Sequence, residues 1–294
     1  MGNVTGTTQQ RGLLVLGASG NLGRMLMRHW QAGGPDGWST TWQYRENPPA
    51  NGIRWQPGEP APAALSSIGA VLALWGVTPR TSGATPSDMA ENTTLAIRAM
   101  ELAAILGAER VLHCSSAAVY VPGPEPLGED AAGGDINAYG RAKLDMEQAI
   151  ADWCAAHPGG PGAVIMRIAN MSGADALFTT IQNGARRVTL DWFASGEGPS
   201  RSYISVRGLA QAIETLLDCP IDPVPMILNV ATQPPLSMEA IARAAGCGVD
   251  WRTAPEGAAP LVWLDTGRLE RLTELPEESA ASLVDEWCDG ESAA

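Results

Sequence analysis

The 294-residue chain carries 19 Lys+Arg against 32 Asp+Glu, a net charge of −13, and 45% of its residues are hydrophobic. This length accommodates one large α/β domain or two smaller ones with ample core; the acidity argues against a basic face for nucleic acid, and no apolar run reaches the ~20 residues that span a bilayer. Five scattered cysteines without a CxxC pair, and three histidines (His29, His113, His157) without ligand-like neighbours, predict reduced thiols, a cytoplasmic location and no metal site.

In chain order, "MGNVTGTTQQ" has no basic region followed by an apolar core, so it reads as a disordered lead-in and not as a secretory signal. "RGLLVLGASGNLGRMLMRHW" predicts a strand, a glycine-rich turn and a helix. "STTWQYRENPP" is the second strand, closed by a polar, proline-rich stop; "GIRWQPGEPAPAAL" is a short third strand and a loop. "IGAVLALWGVTP" is a fourth strand of the kind buried on both faces. A helix from about Ser87 to Leu106 precedes a fifth strand, "ERVLHCSSAAVY". The helix beginning "AYGRAKLDME" and the strand "GAVIMRIAN" follow. Strands alternating with helices over about 160 residues predict an α/β fold with a doubly wound parallel (Rossmann) sheet.

Beyond Asn170 the pattern loosens. "RSYISVRGLAQAIETLLD" reads as a strand end and a helix, "MILNVAT" as another parallel strand, "PLSMEAIARAAG" as a short helix, and the acidic tail from Glu270 as a last turn and helix. The expected organisation is a dinucleotide-binding domain over residues 11–170, to which segments near 203–231 return. Residues 171–294 then form mainly a small, interleaved substrate-binding lobe. The ligand cleft belongs at the carboxyl ends of the strands.

"GASGNLG" places Gly17, Gly20 and Gly23 between a strand and a helix. Gly17 allows the tight turn, Gly20 lets a pyrophosphate approach the backbone, and Gly23 lets helix and strand pack closely. Together with Ser19, Asn21 and Leu22 these residues are the expected cofactor loop, with the anion at the helix N-terminus. The second strand ends "QYREN". Arg45 there suits a 2′-phosphate and favours NADP, whereas Glu46 would serve NAD if the register moved by one. Arg24, just after the loop, is a further phosphate contact or a solvated helix residue.

Tyr139 and Lys143 stand at i and i+4, on one face of the predicted helix. A phenol with pKa near ~10 is a poor acid or base at neutral pH, and an adjacent ammonium lowers that value. The pair alone reads equally as an amphipathic surface helix.

Taken together, these pieces resemble the extended short-chain dehydrogenase/reductase family of sugar-nucleotide epimerases, reductases and dehydratases. "GASGNLG" is similar to its glycine loop, "ENTTLAIRAMELAAILGAERVLHCSSAAVY" to its helix and fifth strand, and "AYGRAK" to its Tyr-x-x-x-Lys. "RIANMSG", "RSYISVRGLA" and "LDTGRLERLTELP" resemble its later segments. The resemblance implies that Tyr139 is the catalytic acid/base and that Lys143 tunes it and holds the nicotinamide ribose. It implies that Ser116 binds the substrate oxygen, with Ser115 as the alternative. It further implies NADP or NAD as cofactor and a nucleoside-diphosphate sugar as partner, bound through Arg201 and Asn170. A homodimer is left open.

The chain departs from the family pattern at Ser202, Ser205 and Gly208, where an acid, a histidine and an aspartate are usual, and at Trp75, where a small residue is usual. Trp75 either narrows the cleft towards a smaller substrate or packs in the core. Ala117 and Ala118 stand where 4,6-dehydratases carry an acidic pair, which disfavours that reaction. The expected function is an NAD(P)-dependent epimerase or reductase of a nucleotide-activated sugar. The alternatives are an NADPH-dependent reductase of a smaller carbonyl compound and a non-catalytic NADP sensor. Sensors of that kind typically lose the tyrosine or lysine, and both are present here.

Overall fold

Strand β1 (Arg11–Leu16) has no polar face: Leu13 and Val15 enter one core cluster, Leu14 and Leu16 another, and all four are fully buried. Such a strand needs a sheet covered on both sides. The computed structural model, which describes residues 11–31, 33–50, 52–79 and 85–292, supplies one. After β1 come α1 (Asn21–His29), β2 (Trp38–Tyr44), β3 (Gly52–Arg54), β4 (Ile68–Ala73), α2 (Glu91–Leu106), β5 (Arg110–Ser116), α3 (Ala138–Ala156) and β6 (Gly162–Ile168). The chain continues through β7 (Asn170–Met171), α4 (Ala176–Gln182), β8 (Arg187–Trp192), β9 (Ser200–Arg201), β10 (Tyr203–Ile204), α5 (Val206–Asp218) and β11 (Met226–Val230). It ends with β12 (Leu236–Ser237), α6 (Met238–Ala244), β13 (Gly248–Thr253), β14 (Leu261–Val262), α7 (Gly267–Glu270) and α8 (Ala280–Ser292).

Seven strands form one parallel sheet in the order β3-β2-β1-β4-β5-β6-β11. The strand order reverses between β1 and β4, so the loops leaving their carboxyl ends splay apart and open a crevice there. On one face α1 and α5 supply Met25, Leu26, Leu209, Ile213 and Leu216 to the core; on the other α2 and α3 supply Met100, Leu102, Met146 and Ile150. Each such side chain contributes roughly 1.5–3 kcal/mol relative to exposure. Helix α2 stops at Gly107, whose φ of +69° is left-handed. Helix α3 starts where the Asn137 side chain accepts from Gly140 N at 2.9 Å, a cap worth ~1 kcal/mol.

Helix α5 and strand β11 return to the sheet, while a third cluster (Leu177, Phe178, Leu190, Tyr203, Ile241, Leu283) joins α4, α6 and α8 beyond it. One feature of that region has no counterpart in the sequence reading: β8 and β13 pair in parallel. Val188, Leu190 and Val249 turn into the apolar cluster, and Arg187–Asp250 and Arg252–Asp191 ion pairs cross between the strands, joining residues 63 and 61 positions apart. No local pattern announces so distant a pairing. The lead-in expected for residues 1–10, and residues 80–84 of the loop after β4, lie outside the described residues. Among the described residues no helix is long and apolar enough to cross a membrane, no metal-binding cluster occurs, and no disulfide forms.

Candidate active site

The end of β5 and the first turns of α3 pack directly on each other and form one wall of the crevice. Successive side chains on a strand point to opposite sides, and Ser115 and Ser116 divide accordingly. The Ser115 hydroxyl, buried, donates to the Glu147 carboxylate on α3. Ser116 caps a 3-10 turn (Ala117–Val119) by accepting from Ala118 N at 3.2 Å. That leaves its own O–H to donate.

Lys143 is 4% exposed, and its Nζ donates to the Cys114 carbonyl at 2.8 Å while lying 5.9 Å from the centroid of the Tyr139 ring. Burial lowers its pKa to about 8, with Cys114 and Glu147 opposing the shift. Because this value lies below the ordinary 10.5, the unfolded chain holds the proton more tightly than the folded one. The resulting destabilisation is full below pH ~8 and fades as the pH rises towards ~10.5. A lysine buried at a cleft wall with its pKa lowered by desolvation is a candidate functional group. The neighbours stay uncharged: burial, reinforced by the Lys143 charge, holds His113 down at about 3, and burial pushes the Cys114 thiol up to about 12.

A cleft of about 520 Å³ is lined by Ser116, Tyr139 and Lys143 on one side and by Gly20, Asn21 and Leu22 on the other. The glycine loop shapes it from behind. Gly17 has a φ of +85°, and a Cβ there would meet the Trp75 backbone at 2.7 Å; a Cβ on Gly23 would meet the Ala18 carbonyl at 2.6 Å. Gly20 precedes α1 without any side-chain cap, and Gly20, Asn21 and Leu22 line the cleft, so the helix N-terminus, with its free N–H groups, lies where an anionic pyrophosphate would use it. The cradle thus fits the phosphate half of a dinucleotide. Ser19 is exposed on the loop, its carbonyl accepting from Arg24. Arg45 is also exposed and lies outside the cleft lining. The β2 residue that touches the loop is Gln43, 1% exposed, whose Oε1 accepts from Gly17 N at 2.8 Å and whose Nε2 donates to the Trp55 carbonyl. Trp75 stacks on Trp55 (centroids 5.9 Å apart, planes at 26°) and also lines the cleft, so it serves core and wall together.

A second cleft, about 420 Å³, opens on the other side of Ser116 and is lined by Asn137, Asn170, Arg201 and Asp135. Ser116, Ile168 and Ala169 belong to both. The Arg201 guanidinium is held by three neutral acceptors, the carbonyls of Ser200 (2.8 Å), Ala259 (2.8 Å) and Pro260 (3.2 Å), and burial pulls its pKa below the usual arginine value. Asn170 donates to Asp175 at 2.9 Å. At the positions that depart from the family pattern, Ser202 accepts from Leu264 N and Ser205 caps α5 through Gly208 N.

Sequence reasoning missed Gln43, Gly140 and Glu147. It also overlooked a signal that was available: Lys143 is the only lysine in the chain, every other cationic side chain being arginine.

Comparison with known proteins gives a consistent picture. The model of the "NAD dependent epimerase/dehydratase family" matches residues 13–231. UDP-glucose 4-epimerase of Azospirillum brasilense is 46% identical over 70 residues, 24% of this chain and 20% of that protein, so the match spans a fifth of the relative's length. Among solved structures, a UDP-glucose 4-epimerase from Stenotrophomonas maltophila with bound NAD and formylated UDP-arabinopyranose superposes with a TM-score of 0.77 at 20% identity, covering 96% of this chain and 98% of that one. UDP-glucuronic acid 4-epimerase from Bacillus cereus, in complex with UDP-glucuronic acid and NAD, gives 0.77 at 15% identity, covering 96% and 100%. At these identities the structural likenesses establish the fold.

Proposed function

Given that this chain belongs to the NAD-dependent epimerase/dehydratase family, we propose that it is an epimerase or reductase of a nucleotide-activated sugar. The observation that carries the reading is the meeting of two clefts at Ser116, one with the glycine cradle, Tyr139 and Lys143, the other with Arg201. When bound, the dinucleotide supplies or accepts the hydride at its nicotinamide ring. Ser116 donates a hydrogen bond to the substrate oxygen, and the Tyr139 phenol gives or takes the proton at that oxygen. The Lys143 ammonium favours the phenolate and holds the nicotinamide ribose. Arg201, lacking an anionic partner among its hydrogen bonds, receives the diphosphate, and Asn170 stands beside it. In this reading residues 11–170, with 203–231, hold the cofactor, and the rest of the chain after 171 forms the substrate lobe. The acidity of the chain and its five scattered cysteines suit the cytoplasm.

Arg201→Ala should weaken UDP binding by about 2 kcal/mol, roughly thirtyfold, while sparing NAD. Calorimetric titration of UDP measures this. An unchanged titration would favour the second reading, reduction of a smaller carbonyl compound, for which the Trp75 ring in the cleft wall speaks.

Family membership makes NAD the cofactor class, and a preference for NADP is the finer part of the proposal, resting on Arg45. Fluorescence titration before and after Arg45→Ala should show a loss of at least ~1.5 kcal/mol for NADP and little for NAD. Tighter binding of NAD by the wild type would make Arg45 a plain surface residue.

A further inference from the structure

Directly behind Ser116, Tyr139 and Lys143 lies a buried charge network that the reaction above does not use. Glu147 stands one helical turn beyond Lys143 on α3 and is 5% exposed. Its carboxylate takes the guanidinium of Arg167 side-on, with Nε at 3.1 Å from Oε1 and 3.2 Å from Oε2, and Nη2 at 2.6 Å from Oε2. Ser115 donates to the same carboxylate. Arg167, 3% exposed, directs Nη1 to the Tyr120 hydroxyl at 3.0 Å and to the Glu129 carbonyl. Tyr120 donates onward to Asn229 Oδ1 at 2.6 Å. The network joins α3 to the ends of β5, β6 and β11.

We propose that Glu147 is a positioning residue for this cluster: its carboxylate fastens α3 to Ser115 and Arg167, so that Ser116 faces the clefts, and places a buried negative charge one turn from Lys143. The proposal rests on the reading of Lys143 and Ser116 given above. Stability alone does not call for this pair, because desolvating two charges costs about as much as their attraction returns. Its place beside the chain's only lysine supplies the reason. The groups facing Lys143 are few. Helix α3 presents Tyr139 and Glu147, and β5 presents the Cys114 thiol and His113, both uncharged at neutral pH. Helix α2 presents the Asn92 amide near Gly76, which also neighbours Nζ. Strand β6 presents Arg167, behind Glu147. Burial lowers the Lys143 pKa against the opposing influence of the Cys114 sulfur and then of Glu147; of these two, Glu147 is the carboxylate, one helical turn away on the same helix.

A single lysine makes the test direct. Carbon-13 labelling of lysine, with a lysine-free tag, gives one Cε signal, titrated without cofactor or substrate. The wild-type midpoint is expected at about 8. Removing the carboxylate charge disfavours the ammonium, so Glu147→Gln should lower the midpoint by about one pH unit, with near-UV circular dichroism reporting the fold. Arg167→Gln should raise it, because the Glu147 charge then acts unopposed. An unmoved midpoint in folded Glu147→Gln overturns the proposal. If that variant does not fold, an unmoved midpoint in Arg167→Gln does so. Since no substrate enters, the result is independent of which compound the enzyme turns over; titrating NAD against the wild type tests the cleft separately.

Discussion

Tyr139→Phe should bind NAD almost as tightly as the wild type and lose turnover by roughly 10²–10⁴-fold, the share that a positioned acid/base contributes. The substitution removes one hydroxyl and keeps a ring that is only partly buried against the cleft, so fold and cofactor affinity should survive. Stopped-flow or steady-state assays over a panel of UDP-sugars and small carbonyl compounds measure the rate, and fluorescence titration measures the affinity. Lys143→Met should lower both, since the phenol loses its tuning charge and the cofactor loses a ribose contact. A Tyr139→Phe protein that turns over near the wild-type rate would return the Tyr-x-x-x-Lys pair to a surface-helix role.

Gly140→Ala should damage stability and activity together. A Cβ at this position would lie 2.0 Å from the Ala118 carbonyl oxygen and 2.9 Å from its carbon. That contact is with backbone, so no flexible side chain can yield; α3 or the 3-10 turn after Ser116 has to move. Overpacking of this kind costs typically 1–3 kcal/mol, which for a chain of this size lowers Tm by about 2–4 °C per kcal/mol. The displaced parts carry Tyr139 and Ser116, and a shift of ~1 Å between reacting groups can cost ~10²-fold. The neighbouring exposed Arg141→Ala is the control and should change stability by no more than ~0.5 kcal/mol. Equal melting points and rates for Gly140→Ala and wild type would mean that helix and turn separate at no cost.

Local features were legible because local rules produce them. The apolar run of β1, the spacing of Gly17, Gly20 and Gly23, and the i, i+4 placement of Tyr139 and Lys143 each depend on the period of a strand, the steric freedom of a turn or the pitch of a helix. The alternation of strands and helices likewise makes a doubly wound parallel sheet the expected fold.

Tertiary structure decided the rest. The resemblance favours Ser116 and keeps Ser115 as the alternative; the packing of α3 on β5 is what commits the Ser115 hydroxyl to Glu147 and leaves Ser116 on the clefts. Arg45 follows the second strand as expected, yet Gln43 is the residue that reaches the loop, because strand register sets which side chain lies opposite Gly17. Glu147 and Arg167 meet across 20 residues, and Gly140 owes its identity to a carbonyl 22 residues earlier in the chain. The amino-acid sequence by itself determined the fold class, the glycine loop and the pair Tyr139 and Lys143, whose causes lie within a few residues. Which serine faces the clefts, which charge stands beside the lysine and where a methyl group cannot fit depend on surfaces that the chain brings together only when it folds.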